Sequence, residues 1–155
     1  MNKIIVAGGC FWGVEAYFKQ KTYIKDSTVG YVNSNMQDPD YRTVCTGRTD
    51  AAEAVELTYE GELEEILDTL FHIIDPTVMN RQGNDHGSQY RTGIYYKTDK
   101  EKDQIEDYIR GIQGNYRSPI VTEVVKADNF WPAEDYHQDY LDKNPGGYCH
   151  IDLNS

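Results

Sequence analysis

Residues 53–74 read Glu53-Ala54-Val55-Glu56-Leu57-Thr58-Tyr59-Glu60-Gly61-Glu62-Leu63-Glu64-Glu65-Ile66-Leu67-Asp68-Thr69-Leu70-Phe71-His72-Ile73-Ile74, and their hydrophobic period changes midway. Val55, Leu57 and Tyr59 alternate with Glu56, Thr58 and Glu60, the two-residue period of a half-buried strand. From Leu63 the period lengthens. Leu63, Ile66, Leu67, Leu70, Phe71 and Ile74 fall at i, i+3, i+4, i+7, i+8 and i+11, one apolar stripe of an amphipathic helix, and Asp75-Pro76 ends it.

The same reading extends outward in both directions. Ile4 to Ala7 is a buried-strand run closed by Gly8-Gly9. Phe11, Val14 and Phe18 then recur at helical spacing, so a helix opens near Cys10. Ser27 to Val32 reads as a strand, and Asn33 to Gly47 as a long polar loop carrying Tyr41 and Cys45. A second polar loop spans Thr77 to Arg91 and is followed by a strand over Thr92–Lys97. Thr98-x-x-Glu101 is a capping box for a helix with Ile105, Tyr108, Ile109 and Ile112 on one face, ending by Gly114. Ile120 to Val125 is a β-branched strand, and beyond Ala127 no periodicity remains. The order β-α-β-β-α-β-α-β predicts an α+β class with the ferredoxin-like, split β-α-β arrangement, helices packing on a mainly antiparallel or mixed sheet. Residues 1–155 are expected to form a single catalytic domain, with a long irregular C-terminal tail from about residue 128.

Composition narrows the partners. The 155 residues are 39% hydrophobic and 26% charged, enough for a packed core, with 15 Lys and Arg against 26 Asp and Glu and a net charge of -11. Such a surface repels phosphate backbones and anionic lipid, so nucleic-acid and membrane binding are not expected. The three cysteines, Cys10, Cys45 and Cys149, are too few and too odd for a secreted disulfide framework. His72, His86, His137 and His150 are scattered, so no zinc site is expected. Ala7-Gly8-Gly9-Cys10 faintly resembles a lipoprotein cleavage site, but the apolar run before it is too short for a signal peptide. Reduced thiols and a cytoplasmic location follow as expectations.

Cys10 sits where a strand meets a helix N-terminus, whose unpaired N–H groups and dipole would stabilise a thiolate. Free cysteines are usually just small buried hydrophobes; the Gly-Gly elbow speaks against that here. Phe11 and Trp12 follow at once and can line an apolar pocket for a methyl or thioether group. Phe11 also fits the core stripe, which leaves Trp12 as the better pocket residue. Glu53 shares parity with Val55, Leu57 and Tyr59, and a carboxyl on that buried face keeps its proton to higher pH and can act as a general acid. A solvated residue ahead of the strand is the plainer alternative. Tyr41 and Tyr90, in polar loops, can offer hydroxyls to a ligand oxygen, although surface tyrosines are common among thirteen. Asp85 is a site acceptor or a turn residue. Cys149, in a Gly-rich tail, and Cys45, in its loop, can each serve as a resolving thiol, and spacing does not choose between them.

Gly8-Gly9-Cys10-Phe11-Trp12-Gly13 with Glu15 resembles the signature of the A-type peptide methionine sulfoxide reductases. Ala52-Glu53-Ala54-Val55, Asp75-Pro76-Thr77, Asn80-Arg81-Gln82-Gly83-Asn84-Asp85, Gln89-Tyr90-Arg91, Pro132-Ala133-Glu134-Asp135-Tyr136-His137-Gln138 and Gly147-Tyr148-Cys149 recur in the family's order, across nearly the whole chain. The resemblance implies that Cys10 attacks the sulfoxide sulfur and Glu53 protonates the oxygen, with Tyr41 and Tyr90 hydrogen-bonding it. Phe11 and Trp12 would hold the S-methyl group, and Asp85 would order the polar side of the pocket. It further implies that methionine leaves a sulfenic acid on Cys10, that Cys149 closes a disulfide on it, and that a thioredoxin-like dithiol reopens the disulfide. The substrate would be methionine S-sulfoxide, free or in peptides and proteins, with no cofactor and no metal.

The chain departs from the family pattern at Ala51, where relatives commonly have His, and at Ser34, where they have Gly. Only one recycling cysteine lies in the tail, and no fused B-type reductase domain is expected. A thiol peroxidase leaves the aromatic pair and the buried acid unexplained. A non-catalytic module binding oxidised methionine would keep its affinity without Cys10. A cysteine hydrolase lacks a histidine placed by sequence as its base.

Overall fold

The computed structural model describes residues 2–155 and is built around a central strand, β1 (Asn2–Gly8). In chain order there follow α1 (Phe11–Lys19), β2 (Ile24–Val32), α2 (Tyr41–Cys45), β3 (Ala52–Tyr59), α3 (Leu63–Ile73), a ribbon of β4 (Arg81–Gln82) and β5 (Asp85–His86), β6 (Thr92–Tyr96), α4 (Asp99–Ile112), β7 (Glu123–Lys126), β8 (Phe130–Pro132) and α5 (Tyr140–Lys143). The main sheet runs β7-β6-β1-β3-β2-β8. Its neighbours are antiparallel except β6 and β7, which run parallel. The protein is a mixed α+β structure.

β1 is a continuous apolar run because both of its faces are covered. Ile4 and Val6 join the larger core with Phe11, Val14 and Phe18 of α1 and Ile66, Leu67 and Leu70 of α3. Ile5 and Ala7 point to the opposite face, against Val32, Ala52, Ala54 and Tyr95. Each large aliphatic side chain buried in this way contributes roughly 1.5–3 kcal/mol. α3 opens with a reciprocal Glu62–Glu65 capping box and α4 with the Thr98–Glu101 box, so both helix starts are written locally.

Three segments differ from the sequence reading. The loop over 33–47 contains α2, which Tyr41 opens; Asp40 caps it by accepting from Thr43 N at 2.8 Å, and five residues are too few to show a period. The 77–91 loop contains the β4–β5 ribbon and a 3-10 turn at Ser88–Tyr90. The tail is not irregular throughout. β8 pairs with β2 as an edge strand, where Pro132 loses no needed hydrogen bond, and α5 packs against α1.

The tail is also tied down by buried polar groups. Glu15, 1% exposed, accepts from Ser27 Oγ and from Asp139 N, both at 2.8 Å. Gln138 clasps the Val29 backbone from both sides, and Tyr17 donates to Ser155 O at 2.9 Å. Among the described residues no helix is long and apolar enough to cross a membrane.

Candidate active site

β1 delivers the chain to Gly8 and Gly9, and Cys10 becomes the N-cap residue of α1. Gly9 takes φ +93°, and a Cβ there would sit 2.8 Å from Gln82 Cβ and from His150 Nε2. Only glycine fits both the backbone and the space. β3 runs antiparallel beside β1 through the Val6–Val55 pair. Two residues further along, Glu53 comes level with the glycine elbow. Its Oε1 accepts from Phe11 N at 3.2 Å, whereas Oε2 is buried with no partner.

Burial dominates the electrostatics here. Glu53 is fully buried, and desolvation pushes its carboxyl up to about 8, against a smaller lowering from the Phe11 amide. At neutral pH it is therefore mostly a carboxylic acid. The Cys10 thiol is also pushed far up, first by burial and then by the nearby Glu53. The amides of Trp12 and Gly13 pull the other way, yet Cys10 makes no side-chain capping hydrogen bond. Burial therefore opposes the stabilisation of a thiolate that the helix terminus offers. The helix terminus does act in the expected sense, and desolvation outweighs it. The resting site holds a neutral thiol beside a neutral acid.

Tyr41 and Tyr90 flank this pair. Burial raises both phenols, with Glu53 the next cause, and the two hydroxyls also act on each other. Cys45, at the end of α2, is exposed and lies beside the Tyr41 hydroxyl. Asp85, on the ribbon, raises Cys10 and accepts from Tyr148 Oη at 3.1 Å. Cys149 is half-buried, and its Sγ donates to Ile151 O at 3.2 Å. A Cβ on Gly13 would lie 3.0 Å from that sulfur, so the tail thiol rests on the first turn of the helix that Cys10 caps.

The aromatic pair divides its work. Phe11 is buried in the core and packs on His137 with ring centroids 5.2 Å apart. Trp12 is half-buried, stacked on Tyr140 at 3.7 Å and 6°, and its Nε1 donates to His137 Nδ1 at 2.9 Å. Ala51 lies buried in the core, and Ser34 Oγ closes its own loop by donating to Met36 O at 2.8 Å.

Four residues of this neighbourhood have no role in the sequence reading: Glu134, His137, Tyr148 and His150. Glu134 accepts from Tyr31 Oη at 2.8 Å and from Tyr41 N at 3.1 Å, which fixes the start of α2. His137 is buried, and its Nδ1 is committed to Trp12, so it is not free to serve Cys10 as a hydrolase base. Tyr148 and His150 flank Cys149 in sequence, the one signal that could have picked them out. A surface cleft between Tyr59, Glu62 and Gln104 lies away from this site and has no cysteine in its lining. Among the described residues no group of three or more His, Cys, Asp or Glu is placed to hold a metal ion.

The family model described as peptide methionine sulfoxide reductase matches residues 2–155. The peptide methionine sulfoxide reductase MsrA of Malacoplasma penetrans is 53% identical over 156 residues, covering 99% of this chain and 98% of the relative. Mxr1 from Saccharomyces cerevisiae in its reduced form superposes with a TM-score of 0.92 at 36% identity, over 98% of this chain and 91% of that one. Mxr1 has also been solved in complex with Trx2, with a TM-score of 0.65 and 26% identity over 90% and 84% of the two chains. On this agreement of full-length sequence and fold, the chain belongs to the peptide methionine sulfoxide reductase family.

Proposed function

We propose that this chain reduces methionine S-sulfoxide, free or in peptides and proteins, with Cys10 as nucleophile and Glu53 as general acid. One observation carries the assignment: the Cys10 thiol stands beside a buried carboxyl that keeps its proton up to about 8 and has one oxygen, Oε2, without a partner. A sulfoxide oxygen entering this site meets a proton donor in a dry surrounding, where such a bond is strongest. The Cys10 sulfur attacks the substrate sulfur as its proton leaves. That forms an S–S bond to a hydroxylated sulfur; this S–S bond and the substrate S–O bond then break as the hydroxyl passes to the Cys10 sulfur, leaving a sulfenic acid there and an electron pair on the methionine sulfur. The proton that Glu53 gives to the oxygen is replaced by the one Cys10 loses, so a neutral acid and a neutral thiol are the correct starting state. Tyr41 and Tyr90 donate to the same oxygen, Phe11 and the Tyr140-stacked Trp12 hold the S-methyl group, and Asp85 orders the polar side.

Cys149 then displaces the sulfenic hydroxyl as water, forming a disulfide with Cys10, and a thioredoxin-like dithiol reduces it. The position of Cys149 against α1 supports this assignment, as does the Trx2 complex of the yeast relative. Repair of oxidised proteins in the cytoplasm is the accompanying reading. We further read residues 1–155 as one catalytic domain whose tail, from about residue 128, carries the recycling cysteine. The antiparallel order β6-β1-β3-β2, with α1 and α3 between its strands, supports the ferredoxin-like, split β-α-β label. To test the assignment, the chain is incubated with each diastereomer of a methionine sulfoxide peptide and a small dithiol. The S epimer alone should yield methionine, and Cys10→Ser should yield none; turnover by Cys10→Ser would overturn it.

A further inference from the structure

We infer that His150 is the general base of the recycling step, taking the proton from Cys149 as that thiol attacks oxidised Cys10. The inference rests on the reading of Cys149 as the recycling thiol.

The argument begins with the tautomer. His150 Nε2 lies 2.8 Å from Gly8 O. A carbonyl oxygen only accepts, so in the neutral ring Nε2 carries the hydrogen and Nδ1 bears the free lone pair. Nδ1 is buried, has no hydrogen-bond partner, and belongs to a side chain 3% exposed. An unpaired buried acceptor is costly to keep unless it is used. Burial also pushes the imidazole below its usual range, which keeps the ring neutral and able to accept.

Gly13 shows which proton Nδ1 can reach. A Cβ on Gly13 would lie 3.0 Å from Cys149 Sγ and 3.3 Å from His150 Nδ1. The sulfur and Nδ1 thus lie side by side against the first turn of α1, on the face where residue 13 has no side chain. The Gly13 amide meanwhile faces the Cys10 sulfur. In the reduced chain the Cys149 thiol donates to Ile151 O. In the inferred step, its move toward Cys10 passes over Gly13, which Nδ1 also borders.

Asp85 completes the arrangement. Its Oδ2 is 4.0 Å from Nδ1, too far for a hydrogen bond and close enough to stabilise an imidazolium once formed. The other ionisable groups around this point are Cys10, Cys149 and Tyr148, the last held by Asp85.

The step balances. Nδ1 takes the Cys149 proton, and the thiolate pair forms the S–S bond to Cys10. The Cys10 S–O bond breaks with its electron pair on oxygen, and that oxygen leaves as water after receiving the proton held on Nδ1. The Cys149 sulfur is oxidised by one electron equivalent and the Cys10 sulfur reduced by one. His150 ends as it began.

His150→Gln separates this role from packing, because glutamine can still donate to Gly8 O while the Nδ1 lone pair is gone. Single turnover on an S-sulfoxide peptide is followed by rapid quench, with methionine and total thiols read from the same samples. The expected result is disulfide closure slowed by about 10²-fold or more, far beyond any change in methionine formation, with sulfenic acid trapped by dimedone. The residual closure rate should rise in proportion to hydroxide, since hydroxide then does the work of the missing base. Closure at the wild-type rate in both His150→Gln and His150→Ala overturns the inference, and so does equal slowing of both steps. If the wild-type chain itself keeps Cys149 reduced, the recycling reading falls and the inference with it, a failure visible without any variant.

Discussion

The Phe11 amide holds one oxygen of Glu53 at 3.2 Å and leaves the other with no partner in a fully buried pocket. The bond fixes the carboxyl in place and leaves its second oxygen free for the donor role proposed for Glu53. Glu53→Gln keeps an acceptor for the amide and removes the acidic proton, so folding should survive while methionine formation falls by about 10²–10⁴-fold. Single-turnover rates check this. For the wild-type chain the same step should slow as pH rises through about 8, the range in which the acid loses its proton.

Stability should carry the same signature. The folded carboxyl keeps its proton to about 8, whereas its ordinary value is 4.5. The folded state therefore binds more protons than the unfolded one between these values. The stabilising contribution is full below about 4.5 and is lost as pH rises through about 8. Melting temperatures measured from pH 5 to 9 should fall with pH, and Glu53→Gln should flatten that fall.

Trp12→Phe keeps a ring to stack on Tyr140 but removes the donor to His137 Nδ1. A buried acceptor left unpaired costs about 1–3 kcal/mol, which urea unfolding will register. On the proposed role of Trp12 in holding the S-methyl group, KM for a sulfoxide peptide should also rise severalfold.

Gly13→Ala sets two effects against each other. Alanine is favoured over glycine in a helix by about 1 kcal/mol, but the new Cβ would meet Cys149 Sγ at 3.0 Å. The tail must shift, and disulfide closure should slow although the helix itself is improved. Unchanged closure with a clear gain in stability would show that Cys149 does not rest on this turn.

Much of this was legible in the sequence for identifiable reasons. The strand and helix over 53–74 have enough residues to display both periods, and the Thr98–Glu101 box that opens α4 is local. The burial of Glu53 follows from parity along one strand. α2, the β4–β5 ribbon and β8 escaped because segments of two to five residues have no period and form through contacts with distant chain. His137 and His150 escaped for a related reason: what each ring nitrogen does depends on Trp12 and Gly8, more than a hundred residues away. For Cys10 a sequence shows the helix terminus next to it but not the depth at which the sulfur lies.

The central claim is that Cys10 takes the sulfoxide oxygen and Cys149 closes on it. Its most direct test is single turnover of the S-sulfoxide peptide without reductant, counting free thiols before and after and mapping the disulfide by mass spectrometry. The account predicts one methionine formed, two thiols lost, and a Cys10–Cys149 bridge with Cys45 still free. A bridge through Cys45, or methionine formed with a single thiol lost, would contradict the recycling route. No methionine from the S epimer would contradict the chemistry itself.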